Sequence, residues 1–141
     1  TEPAAKAFKT TYHKKFTHVK PFTREVMKYA QANGLAIDSR FGRRIPVDAD
    51  KVYAAVNYLI SSTAADELKL GLHRINETDW IDFFLLPIHD ELIFEVPDEL
   101  VPQALVEIPE LMADRDTFDV PIEADVKAMK RWGEKPQKEV A

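Results

Sequence analysis

Cysteine is absent from the 141 residues, which excludes disulfides and thiolate metal sites and fits a reducing, intracellular setting. No run of about 18 apolar residues is present to span a bilayer, so no membrane partner is expected. A secretory leader is missing as well. The first residue is Thr1, not Met, so the chain reads as a processed product or an excerpt, with a cytoplasmic location. No internal repeat or low-complexity tract interrupts it. What is present is a 45% hydrophobic composition, enough at this length for one compact core and little more.

The net charge of -5 hides an asymmetry. Residues 1–50 carry ten Lys/Arg against five Asp/Glu, residues 51–126 four against seventeen, and residues 127–141 five against two. A basic N-terminal third joined to an acidic remainder suits a protein that grips a polyanion at one place and binds cations at another. An ordinary solvated surface with uneven charge suits the same numbers.

TEPAAKAFKTTYHKKF opens the chain as a helix, with Thr1 as N-cap and Pro3 in the first turn. A second helix is expected from Pro21 to Gly34, with Lys20, Arg24 and Lys28 forming a basic stripe at i, i+4, i+8. LAIDSRFGRRIPVD is extended around a Gly-centred turn, and Pro46 marks a boundary between subregions. A long helix from about Lys51 to Ile75, capped by Asp48 or Asp50, places Ala64, Ala65, Leu68, Leu72 and Ile75 toward a core. Two strands flank a bend at His89, Asp90 and Glu91, and Asp98 can cap a following helix bent at Pro109. Val120, Ile122, Ala124 and Val126 alternate with polar residues, so VPIEADV reads as a half-buried edge strand. The order predicts an α+β fold: a small antiparallel sheet, the hairpin plus a further strand, backed by helices and preceded by an N-terminal helical segment.

The bend in LLPIHDELIFEVP carries the chemistry. Three consecutive ionisable residues sit between apolar runs, and Gly, Asn and Pro, the usual turn formers, are absent from the bend itself. A polar turn with no ligand is the ordinary reading. The functional one is a carboxylate, Asp90, held by a sheet as an oxygen ligand for Mg²⁺, with Glu91 on the opposite face. Two-metal phosphoryl transfer needs acidic groups from at least two places. Asp38 lies in the basic segment, and Glu123 and Asp125 share a solvent face, so the motif is half of a site.

IHDELIFEV, residues 88–96, resembles the third polymerase motif of the family A DNA polymerases. NYLISSTAAD, residues 57–66, is similar to the helix preceding that motif. GLAIDSRFGRRIPV, residues 34–47, is similar to the family's glycine–arginine–arginine stretch. Residues 4–30 are similar to the two helices after its nucleotide-binding finger helix. Order and spacing agree over nearly the whole chain.

The resemblance implies a C-terminal segment of a DNA-templated DNA polymerase acting in replication. Residues 1–46 would be a helical remnant of the fingers, and residues 47–141 the C-terminal half of the palm. Asp90 would be the second metal-binding aspartate, with Glu91 in support and two Mg²⁺ ions in the complete enzyme. Asn57, Ser61 and His89 would touch primer–template DNA in the minor groove, whose acceptors lie in nearly sequence-independent positions. Arg40, Arg43 and Arg44 would contact phosphates; packing against nearby acids is their alternative role. The first metal aspartate and the finger helix that holds the dNTP triphosphate lie upstream in the family, so this segment alone is expected to be inactive. Trp132 resembles a structural tryptophan near the family's C-terminus. Ser61 stands where family members usually carry Gln, and Tyr53 where many carry Arg, departures that fit a bacteriophage-type enzyme. A non-catalytic module that binds primer–template through its basic third is the competing function.

Overall fold

A computed structural model of the chain describes residues 2–134, so the expected cap at Thr1 lies outside the described residues. The chain divides into two compact units, one up to Thr63 and one from Ala64.

In the first unit, α1 (Glu2–Lys15) has no buried residue, whereas α2 (Val19–Ala32) buries Val26 and Ala30. The spacing of those two, i and i+4, gives α2 a single inward stripe. Its end is set by backbone geometry: Asn33 donates its N–H to Tyr29 O, and Gly34 and Leu35 take φ of +67° and +56°. A left-handed residue after the last turn stops the helix, and glycine adopts it without steric cost. β1 (Ala36–Asp38) and β2 (Arg44–Pro46) then pair antiparallel, Ile37 opposite Ile45, around a loop that contains Gly42 at φ +84°. Ile37, Val47 and Ala55 close this core with the two α2 residues.

A 3₁₀ segment, Ala49–Ala54, precedes α3 (Ala55–Asn76). Residues 55–63 of α3 belong to the first unit and 64–76 to the second. Asp48 occupies the N-cap of the 3₁₀ segment but makes no side-chain capping bond. The inward face of α3 differs from the expected one. Ile75 is buried as expected, but Ala64 and Ala65 are exposed and Leu68 and Leu72 half-buried; the other buried positions of α3 are Ala55, Ser62, Asp66, Glu67 and Gly71. Glu67 faces a cation on the same helix, Arg74, at 3.7 Å; without it the burial of this acid would carry a large desolvation cost.

The second unit continues with a 3₁₀ turn, Asp79–Phe83, whose cap Thr78 accepts from Trp80 N–H. β3 (Phe84–Ile88) and β4 (Glu91–Phe94) form the hairpin, and α4 (Val101–Met112) covers it. Ile75, Trp80, Ala104 and Ile108 are the buried centre, packed against Phe83, Leu92, Phe94 and Leu111 among others. The buried Trp80 also places its indole N–H on Glu107 at 2.8 Å, which removes the cost of an unpaired donor. α4 continues through Pro109, whose carbonyl accepts from Ala113 N–H.

The α+β architecture is as expected, with the antiparallel strands arranged as two separate two-stranded sheets. Three local expectations fail. VPIEADV joins no ladder; only Ile122 bridges back to Asp114, and Val120, Ile122 and Val126 are exposed. An alternating pattern makes a strand only where a partner edge is available, and none is offered to it among the described residues. Asp98 does not cap α4, because its carboxylate takes the Lys130 ammonium at 2.7 Å and Leu100 stands at the N-cap. Trp132 is 72% exposed, so it closes nothing among the described residues.

The α3–α4 crossing yields a test. A methyl group at Gly71 would meet Met112 Cα at 3.4 Å, an ordinary contact, and anything larger would collide. Gly71→Ala is expected to stabilise by up to about 1 kcal/mol through helix propensity. Gly71→Leu is expected to cost about 1–3 kcal/mol by overpacking. Urea denaturation of the two variants reads both signs.

Candidate nucleic-acid and metal-binding site

The register of the hairpin fixes its tip. Ile88 pairs with Glu91, leaving only His89 and Asp90 to turn the chain. Glu91 is therefore the first residue of β4 and not part of the bend, which corrects the three-residue turn expected from the sequence. Of the two turn residues, only His89 has a positive φ, +51°, and positive φ in a two-residue loop lets its twist match that of the flanking strands. The closing pair of such a hairpin is hydrogen-bonded and the next is not. Pro87, opposite Leu92, falls in that second pair, so its missing N–H would have pointed to the open edge and costs no ladder bond.

Asp90 and Glu91 are both exposed, and neither carboxylate has a hydrogen bond or ion pair with any described residue. Asp90 lies in the turn, so strand alternation applies only from Glu91 onward. On β4, Leu92 and Phe94 turn to the core, and Phe94 stacks edge-on against Phe84 at 5.6 Å. Glu91 shares the opposite face with Ile93. Among the described residues no three His, Cys, Asp or Glu side chains come together as a metal cluster.

The other candidates lie in the first unit. Asn57 and Ser61 stand one turn apart on α3, exposed, with no side-chain partner among the described residues. Beside them Ser62 is buried and returns its hydroxyl to Leu59 O at 3.1 Å. The three arginines sit on the β1–β2 hairpin, and their bonds reach α3 and the end of α2, Arg40 through its backbone. Arg40 N–H donates to Thr63 Oγ1, and the Arg43 guanidinium donates to Ser62 O at 3.0 Å. Arg44 donates to Asn33 O at 2.7 Å and stands 3.8 Å from Asp38.

Asp38 is the hub of a network that sequence reasoning passed over. Its Oδ2 accepts from Tyr29 Oη–H at 2.6 Å and from Asn33 Nδ2–H at 3.1 Å. The hydrogen bond to Asp38 raises the Tyr29 pKa above its ordinary value. The i, i+4 pair Tyr29 and Asn33, followed by an isolated acid in a basic stretch, was the available signal. The histidines outside the hairpin gather no ligand set: His18 and His73 are exposed and His13 is half-buried. The second cluster missed is Glu67, Arg74 and Asp114, distant in sequence and joined only by the fold.

Comparison with known proteins gives a consistent result. The family model for DNA polymerase family A matches residues 1–134. The chain is similar to the DNA polymerase of Mycobacterium phage D29, 36% identical over 123 residues, covering 86% of this chain and 20% of that protein. It is 30% identical over 132 residues to the DNA polymerase of Mycobacterium phage L5, covering 93% and 22%. To the thermostable DNA polymerase I of Thermus filiformis it is 28% identical over 145 residues, covering 94% and 17%. The chain thus spans about a fifth of the length of the curated relatives it matches. No helix among the described residues is long and apolar enough to cross a membrane.

The positive φ at His89 separates the turn's mechanical needs from any chemistry of the imidazole. His89→Gly is expected to hold or raise stability by up to about 1 kcal/mol, since glycine takes φ > 0 freely. His89→Val, β-branched in the same conformation, is expected to lower it by about 1–3 kcal/mol. Thermal unfolding of both variants checks the difference.

Proposed function

The chain belongs to DNA polymerase family A, and from that premise we propose that it forms the later part of a DNA-templated DNA polymerase. In this reading residues 1–46 are the end of the fingers and residues 47–141 the C-terminal half of the palm. The observation that carries it is Asp90, an exposed, unpartnered carboxylate at the tip of a hairpin whose strands are otherwise apolar.

That donor fits a hard cation, which takes oxygen ligands and keeps several of its waters. When bound, two Mg²⁺ ions supply activation of the primer 3′-hydroxyl and stabilisation of the departing pyrophosphate. Asp90 contributes one carboxylate to that site, and Glu91 places a second negative charge next to it. Two acids on adjacent residues cannot form the whole site. The remaining carboxylate and the helix that binds the dNTP triphosphate belong to the rest of the polymerase.

Contacts to the primer–template come from both units. Asn57 offers an amide donor to minor-groove acceptors that every base pair presents, so it senses pair geometry without reading sequence. Ser61, one turn on, reaches less far than the Gln usual at that position, which leaves more of the contact to Asn57 and to His89 at the hairpin tip. Arg40, Arg43 and Arg44 add phosphate contacts that are blind to sequence and weakened by salt. The similarity to phage polymerases supports a phage-type enzyme.

In the complete polymerase, Asp90→Ala is expected to abolish nucleotide incorporation while DNA affinity stays within a few-fold. Unchanged incorporation would overturn the catalytic reading in favour of a non-catalytic primer–template-binding module. Arg44→Gln is expected to weaken DNA binding alike on all sequences and to lower the salt slope of log K by about one, read by titrations at several ionic strengths.

A further inference from the structure

The second unit contains a buried group of charges for which the polymerase reading has no use. Glu67, on α3, is 8% exposed, and neither of its carboxylate oxygens has a hydrogen-bond partner among the described residues. Asp114, which follows α4, is 6% exposed and leaves Oδ2 equally unpaired. Between them stands one cation. Arg74 approaches Glu67 Oε1 at 3.7 Å and Asp114 Oδ2 at 3.7 Å, and it donates to the carbonyls of Leu111 and Ala113 at 3.3 and 3.1 Å. Its guanidinium therefore ties α3 to the last turn of α4.

The two acids are not equivalent. Asp114 Oδ1 accepts from the backbone N–H groups of Asp116 and Thr117 at 3.0 and 2.9 Å. Asp114 N–H and C=O both bond to Ile122, so this residue anchors the strap of residues 114–122. Hydrogen bonds from Thr117, side chain first and then backbone, with Asp116 N–H and Arg74, hold its carboxyl down at about 2. Glu67 has no such donors. Burial first, and then the charge of Asp114, push it above the ordinary carboxylate range, with Arg74 opposing.

The other charged groups nearby point elsewhere. Arg115 is taken by Glu110 and Glu123, Glu107 by Trp80 and Gln103, and Asp116 and Lys69 are exposed. Asp66 is a third acid buried on α3, and it too has a partner. One guanidinium thus faces two interior carboxylates, and an unpaired interior charge is costly.

We propose that Glu67 and Asp114 form a buried acid pair that keeps one proton on Glu67, and that release of this proton frees the 114–122 strap from the α3–α4 helix pair. With Glu67 neutral, Arg74 and Asp114 balance and the strap stays closed. With Glu67 ionised, two interior anions share one cation and opening relieves the repulsion. The sign follows from linkage. A carboxyl that binds its proton more tightly when folded stabilises below its unfolded pKa, and that contribution is lost as pH rises through its folded value. Asp114 acts in the opposite direction and only in strong acid, where its contribution is lost as pH falls from 3.8 toward about 2. This inference stands independently of the polymerase reading.

Hydrogen–deuterium exchange of the full chain from pH 4 upward tests it, with each peptide's protection taken relative to its unfolded form. Protection of peptides covering residues 111–122 is expected to fall as pH rises from the ordinary carboxylate value of 4.5 through the raised folded value of Glu67 and to level off above it, with a slope of at most about tenfold per unit, that of one linked proton. Peptides from the β1–β2 hairpin are expected to show no such slope. In Glu67→Gln, which keeps the size of the side chain and has no proton to release, the slope is expected to vanish. A flat profile in the native chain, or an equal slope in Glu67→Gln, overturns the proposal. Should Glu67→Gln lose protection throughout, Glu67→Met replaces it, and the native profile decides on its own.

Discussion

Two residues are all that the β3–β4 hairpin leaves for its reversal, and the geometry of its tip depends on that count. Ile88 opposite Glu91 sets every later pair, so Leu92 and Phe94 turn inward and Glu91 and Ile93 turn to the other face. A slip of one residue would exchange the faces and put Glu91 into the core with no cation to meet it. The bulge between Phe84 and Leu86 absorbs the extra residue at the far end. It keeps Phe84 on the Phe94 side and leaves Leu85 exposed. The tip can then project Asp90 into solvent because the hydrophobic register beneath it cannot slide.

The electrostatics of the second unit follow from scarcity of positive charge. Its residues 64–126 hold only three Lys/Arg for seventeen acids, and two of those three each serve two carboxylates. Arg115 reaches Glu110 and Glu123 at 2.7–3.0 Å on the surface, where such pairs contribute about 0–1 kcal/mol apiece. Arg74 does the same in the interior, where the partners cannot turn to water instead. Acids left over, Asp90 and Glu91 among them, stay exposed. The charge asymmetry visible in the sequence therefore has a structural outcome: a surplus of solvated carboxylates around a few cations, of which Arg74 and Arg115 are shared.

Much of this was legible in the sequence. The helices around Arg24 and Leu105, the turn after Asn33, the hairpin and its acidic tip all rest on local periodicity, and local periodicity is what a sequence displays. The apolar face of α4 emerged as read, with Ala104 and Ile108 buried. The errors share one cause. Glu67 faces inward toward Arg74, whose guanidinium is held by the carbonyls of Leu111 and Ala113, 37 and 39 positions further along the chain, and lies beside Asp114. Asp98 deserts its helix because of Lys130. Val120 and Ile122 alternate like a strand but find only one bridge. In each case a partner distant in sequence decided the outcome, and no window of ten residues contains it. The family resemblance located the tip and the candidate DNA contacts, and said nothing of the Asp38 network or the Arg74 cluster.

The phosphate contacts proposed for Arg43 and Arg44 can share a side chain with the structural role each already has. A guanidinium has five N–H donors. Arg44 uses donors on Asn33 and lies beside Asp38, which offsets part of its charge and argues for a fold-stapling role. Yet Asp38 is itself held by Tyr29 and Asn33, so much of its acceptor capacity is already spent. A guanidinium tethered at two donors has lost most of its rotamer entropy before any ligand arrives, and its remaining donors can meet a phosphate without that cost. Arg43, whose guanidinium is held by Ser62 O, follows the same logic. Anchorage to Ser62 and Asn33 is therefore compatible with the proposed phosphate contacts.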